Sequence, residues 1–227
     1  MTAGHFGLAA GVKAGAQRLP LWALMVATYL LDIVFIMLLA AGGIENFAPI
    51  DPAHPSYGAV IIHAYYTHSL VGAGLIALIA GLIAAWAWGQ RAGVVIGAVV
   101  FSHWLLDLIV HRPDLPILPN NLGNLPLLGL GLWQAPLVSA MLELLLAVVG
   151  AYLYYRSALQ AATSIHTDGD RRSRALVASV ITGLLLLFLL AADLFNLPLM
   201  IAVGLMLLLI VLCGWLDARL NWSLSAS

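Results

Sequence analysis

Three side chains in the stretch 101–114, His103, Asp107 and His111, recur at intervals of four residues. On a helix, positions four and eight apart lie on nearly one face, so the three form a single stripe. Two imidazoles and a carboxylate are the ligand set of a hard or borderline metal ion. The stripe belongs to an apolar run that begins near Val94. An ionisable residue inside a membrane span is costly and points to function by default. Packing alone is a poor explanation for three of them on one face.

The elements that must position this stripe are membrane helices. Of 227 residues, 63% are hydrophobic and only 8% are charged, more apolar surface than a soluble domain can bury. The expected fold is all-α, a polytopic membrane helix bundle of about six transmembrane helices with both termini cytoplasmic. Spans are expected at 20–41, 57–88, 92–111, 134–156, 175–192 and 197–215, near the length needed to cross a bilayer except 57–88, which is longer. Residues 1–19 read as a flexible lead, 20–217 as a single membrane domain and 218–227 as a cytoplasmic tail. The segment 112–133 holds Pro113, Pro116, Pro119 and Pro126 and is too broken to span; it should cap a membrane face or re-enter it. Orientation follows the positive-inside rule. Lys13, Arg18, Arg91, Arg156, Arg171, Arg172, Arg174 and Arg219 fall on one side and Arg112 alone on the other.

That topology brings further polar residues to the same half of the membrane. At 1.5 Å per residue, Asp32, His68, His103 and Glu143 lie roughly 12–17 Å from the outer ends of four helices. His63, Asp107 and His111 lie one or two turns nearer the outer surface. His5, His54 and His166 read as solvated loop residues, Asp193 and Asn196 as caps of spans five and six. Trp86, Trp88, Trp104, Trp133, Trp215 and Trp222 read as interfacial anchors. Cys213 cannot form an intramolecular disulfide, being the one cysteine, and reads as a core filler.

His and Asp in this arrangement suit Zn²⁺, as one or two ions. A carboxylate beside the ligands would orient a histidine or act as a general base, and Glu143 and Asp32 are the candidates. Tyr65, Tyr66 or Arg112 could stabilise an anionic transition state. A lateral opening toward the outer leaflet fits a lipid-like ester or phosphodiester. Membrane lipids are the expected surroundings, and no basic patch interleaved with aromatics suggests nucleic acid. Three other readings use the same residues: a non-catalytic metal or proton site, a bis-histidine haem site at His68 and His103, and a structural subunit of a membrane complex.

Two motifs carry a resemblance. His63-Ala64-Tyr65-Tyr66-Thr67-His68-Ser69 resembles the H-x-x-x-T-H-S element of the LexA-regulated, membrane-bound metal-dependent hydrolase family of bacterial inner membranes. Ser102-His103-Trp104-Leu105-Leu106-Asp107 resembles that family's S-H-x-x-x-D element. The likeness covers roughly residues 58–120. It implies a metal held by His63, His68, His103 and Asp107, a hydrolase distantly similar to zinc-dependent phospholipase C, and an inner-membrane location. The chain departs from the family pattern in having Ala64 where an Arg usually follows the first His, and in adding His111 and Asp114 after the second motif.

Overall fold

The computed structural model describes residues 1–51, 57–163, 169–195, 197 and 199–220. His54, His166, Asn196 and Trp222 lie outside them, as does most of the expected tail. Among the described residues there are eight α-helices: α1 (Thr2–Gly15), α2 (Leu21–Thr28), α3 (Leu30–Ala40), α4 (Leu70–Trp88), α5 (Gln90–Val110), α6 (Pro136–Thr163), α7 (Gly169–Leu194) and α8 (Leu199–Ala218). Two short strands, β1 (Asn46–Pro49) and β2 (Val60–His63), pair antiparallel with Asn46 opposite His63. Five helices are long and apolar enough to cross a membrane, or six if the pair α2–α3, bent by 57°, counts as one span. The chain is an integral membrane protein of helical architecture.

Two compact units divide the chain. One comprises 1–26, 142–193 and 197–227; the other comprises 27–141 and 194–196. In the first, the expected flexible lead is instead helix α1, with Phe6, Ala9 and Ala10 fully buried. Small residues make this possible, because a Cβ at Gly150 would stand 1.8 Å from the Gly7 carbonyl oxygen. Such backbone proximity is how membrane helices pack without long side chains. The Asp193 carboxylate does not cap its own helix; it accepts from Thr2 N (2.8 Å) and Thr2 Oγ1 (3.0 Å) at the start of α1.

Lys13 is also not a solvated cytoplasmic charge. Its ammonium is buried, 3.1 Å from Asp217, and donates to the carbonyls of Gln17 (2.9 Å) and Leu19 (2.7 Å). Asp217 accepts in addition from Leu21 N and Tyr154 Oη. Removing one partner of a buried pair strands the other charge, at about 3–5 kcal/mol. This network therefore ties α1, α2, α6 and α8 into one unit. His5, expected in solvent, is buried on α1.

The second unit is built on the hairpin of α4 and α5. Gly89, at φ 90°, ends α4 and begins α5, a backbone state that glycine reaches without a Cβ clash. Gly81 and Gly93 then let the two helices touch: a Cβ on Gly93 would lie 2.6 Å from the Gly81 carbonyl oxygen. An antiparallel hairpin sets the first residues of α4 beside the last turns of α5. The second span is shorter than expected, starting at Leu70 rather than Tyr57, because residues 60–63 extend into β2 and 64–69 form a polar turn. The Ser69 hydroxyl accepts from Gly72 N at 3.0 Å and so caps α4.

Candidate metal centre

His68 sits in the turn just ahead of α4, and His103 lies seven residues before the end of α5. That places the meeting point about 10 Å inside the end of α5. Irregular backbone at such depth is tolerated only when protein satisfies its polar groups, and here it is satisfied. Glu45 accepts from Tyr66 N (2.6 Å) and Thr67 N (2.8 Å), and His68 N donates to Ala64 O. Leu70 N and Val71 N donate to the carbonyls of Pro116 and Ile117. The proline-rich segment thus forms no span. Two 3-10 turns, Pro119–Asn121 and Leu132–Gln134, and a Leu115–Leu128 bridge fold it on itself, and Asn120 N donates to Tyr65 O in the turn.

The stripe expected on α5 is present. Asp107 Oδ2 stands 3.0 Å from His103 Nε2 and 3.8 Å from His111 Nε2. From α4's entry, His68 Nε2 comes within 3.4 Å of the same oxygen and 3.3 Å of His103 Nε2. Asp32, on α3, reaches His68 Nε2 with Oδ1 (3.3 Å) and His103 Nε2 with Oδ2 (3.7 Å). Asp32, His68 and His103 offer ligand atoms that all lie within 4.8 Å of one another.

Hydrogen-bond chemistry fixes which ring nitrogens face this point. A carbonyl can only accept, so His103 Nδ1–H donates to Thr28 O at 2.7 Å. The break between α2 and α3 at Tyr29 sets that carbonyl where the ring can reach it. Thr67 has one hydroxyl proton, which goes to Glu45 Oε2 at 2.8 Å. Its oxygen therefore accepts from His68 Nδ1–H, also at 2.8 Å. In the same way His111 Nδ1–H donates to Asp114 Oδ1 at 2.9 Å. Each imidazole is held through Nδ1 by a partner, the arrangement that orients metal-ligating histidines. In each ring the other nitrogen, Nε2, faces Asp107.

Two imidazole Nε2 atoms 3.3 Å apart can share a proton or a cation between them. Ligand atoms around a tetrahedral zinc, at 2.0–2.1 Å from the ion, stand roughly 3.3 Å from one another. The triangle His68 Nε2, His103 Nε2 and Asp107 Oδ2 has sides of 3.3, 3.0 and 3.4 Å. These residues fit a divalent ion. Aromatic rings hold the imidazoles in place: Phe35 meets His68 edge-on (6.1 Å), Tyr29 meets His103 edge-on (5.8 Å), and Trp133 lies 4.4 Å from His111. Trp104 and Trp133 are buried rather than interfacial, Trp104 donating to His68 O at 2.8 Å.

Three more of the expected site residues are described in turn. His63 stands on β2 with Nδ1 3.2 Å from Tyr65 Oη, and among the described residues it belongs to no group close enough to share an ion. Arg112 spends its guanidinium on the carbonyls of Gly58 and Val60, tying the segment after α5 to the strand β2. Glu143 lies in the first unit, buried, where it accepts from Gly4 N at 3.3 Å. Glu45 and the Thr28 carbonyl carry no sequence signal for the roles they take; Thr67 sits inside the T-H-S motif. Valine at Thr67 keeps the shape and removes the hydroxyl. Thr67→Val is expected to weaken zinc binding by roughly 10–100-fold in chelator competition; unchanged affinity would show that this bond does not orient His68.

No protein family, curated protein or solved structure matches this chain.

Proposed function

We propose that the protein is a metal-dependent hydrolase of the bacterial inner membrane, acting on a lipid-like ester or phosphodiester. The observation that carries this reading is the convergence of the His68 and His103 Nε2 atoms on the Asp107 carboxylate at separations that suit the ligands of a zinc ion. His68, His103 and Asp107 are the ligands, with His111 next to them. Three protein ligands leave a position open, as in hydrolytic zinc sites. A divalent ion held by these residues would lower the pKa of water and polarise the oxygen of an ester or phosphoryl group.

The remaining roles fall to side chains around the ligands. Asp107 is nearly enclosed, with 6% of its side chain exposed, whereas Asp32 keeps 26%. Asp32 is the carboxylate that meets solvent and substrate, and it takes the proton from the attacking water. Glu45, through Thr67, and Thr28, through its carbonyl, hold the two imidazoles in the ligating tautomer. The likeness of residues 63–69 and 102–107 to the membrane-bound metal-dependent hydrolases supports the same chemistry, with Asp32 in place of His63 beside the ligands.

A haem site is disfavoured by the same distances. Asp107 Oδ2 stands within 3.4 Å of both imidazole nitrogens, a charged oxygen where a flat apolar macrocycle would have to lie. The proposal is tested by turnover. Protein in nanodiscs should hydrolyse an amphiphilic ester or phosphodiester, lose the activity to a chelator and regain it with Zn²⁺. Folded, zinc-loaded protein that turns over neither class would overturn the hydrolase reading.

A further inference from the structure

The two segments that enclose the centre, described over residues 41–51 with 57–69 and over 111–135, have surfaces unlike those of loops in water. Among their described residues, Ile44, Phe47, Ile50, Ile61, Tyr66, Leu122, Leu125 and Leu130 are large, apolar or aromatic and exposed, Leu122 at 70% and Leu130 at 75%. One charged side chain in the same set is exposed, Asp51. Glu45 and Asp114 are buried, and Arg112 is half-buried and bonded to carbonyls. Eight large side chains against one charge is the balance of a surface that avoids water.

Depth points the same way. Both segments lie at one end of the α4–α5 hairpin, since α4 leaves that end and α5 returns to it. They are bonded together and to α4: Asn120 N donates to Tyr65 O (2.8 Å), Ile62 N to Asp114 Oδ2 (3.4 Å), and Leu70 N to Pro116 O (3.0 Å). The first residue of α4 is near the level of His103, about 10 Å inside the end of α5. Segments bonded there are held at or below the headgroup level, where exposed aliphatic side chains meet lipid.

We infer that these segments form an apolar collar seated in the bilayer, with Ile61 of the β-hairpin and Leu122 and Leu130 of the proline-rich segment inserted among acyl chains around the mouth of the centre. The occupant of this surface is the lipid of the same leaflet. Continuity with α4 and α5, both long and apolar enough to cross a membrane, and the near absence of exposed charge select it over a soluble partner. Substrate would then enter from the bilayer rather than from water, so an ester carried on an acyl chain reaches the centre without leaving the leaflet. The collar rests on the membrane-spanning helices and not on the chemistry proposed for the centre, so the two readings fail separately.

Nitroxide labels test it. Single cysteines replace Ile61, Leu122 and Leu130 in the Cys213→Ala background, in liposomes, with Leu82→Cys on exposed α4 as the lipid reference and Gln90→Cys as the water reference. Collisional relaxation by oxygen, which partitions into lipid, is compared with relaxation by a water-soluble nickel chelate. The collar labels should show the oxygen-to-nickel ratio of Leu82→Cys. A ratio like that of Gln90→Cys overturns the inference, and so does low accessibility to both reagents, which would mean that protein covers the surface. Three independent positions keep the test decisive if one variant fails to insert.

Discussion

Replacing Asp32 by asparagine is expected to leave the ion in place and to reduce turnover by roughly two to four orders of magnitude, the range for loss of a proton-transfer group. Asparagine keeps the size of the side chain and one acceptor oxygen, so the contacts near His68 and His103 survive in outline. What it loses is the ability to take a proton. Asp32 is the more exposed of the two carboxylates at the centre, and it stands at the third position of α3, where the bent helix pair turns it toward the imidazoles. The measurement is metal content and ester turnover on one preparation. Loss of metal together with activity would make Asp32 a fourth ligand and remove it from the role of proton acceptor. Retained activity would remove it from the chemistry altogether.

His103→Ala has the other large expected effect, and it acts on metal rather than on proton transfer. The ring supplies Nε2 to the centre and Nδ1–H to the Thr28 carbonyl, and it is fully buried. Alanine would delete a proposed ligand and leave the Thr28 carbonyl without this donor. A ligand that binds only the folded state stabilises it by about 4.1 kcal/mol when present at a thousand times its Kd. Wild-type protein should therefore gain thermal stability on adding Zn²⁺, while His103→Ala should gain none. Equal shifts in both proteins would place the zinc elsewhere.

How much of this was legible in the sequence varied with the range of the interaction. Hydropathy places α4 to α8 because a span is a local property of about 20 residues. The stripe His103, Asp107 and His111 is legible for the same reason: four-residue spacing on a helix decides its face, and Asp107 indeed touches both histidines. His68 is legible by its motif. Its position ahead of α4 is not, because the polar run 63–69 reads as one end of a long helix until β1 pairs with β2 and Glu45 takes up the free amides.

Long-range partners account for the rest. Lys13 looks like a solvated charge until Asp217, 204 positions later, pairs with it in a buried site. Arg112 looks like the free cation of the outer face, yet two carbonyls of another segment bind it. The Thr28 carbonyl that orients His103 depends on a helix break that no proline or glycine marks. His63 shares a motif with His68, but strand geometry at residues 60–63 pairs it with Asn46 across the hairpin. Motif spacing alone could not show that one histidine stands on a strand and the other in a turn five positions away.

The metal content of protein purified without chelator tests the central claim most directly, with His63→Ala and His103→Ala measured beside the wild type. A single centre built on His68, His103 and Asp107 predicts about one divalent ion per chain in the wild type. It predicts the same content in His63→Ala and none in His103→Ala. Full occupancy in His103→Ala, or loss of the ion in His63→Ala, would contradict it.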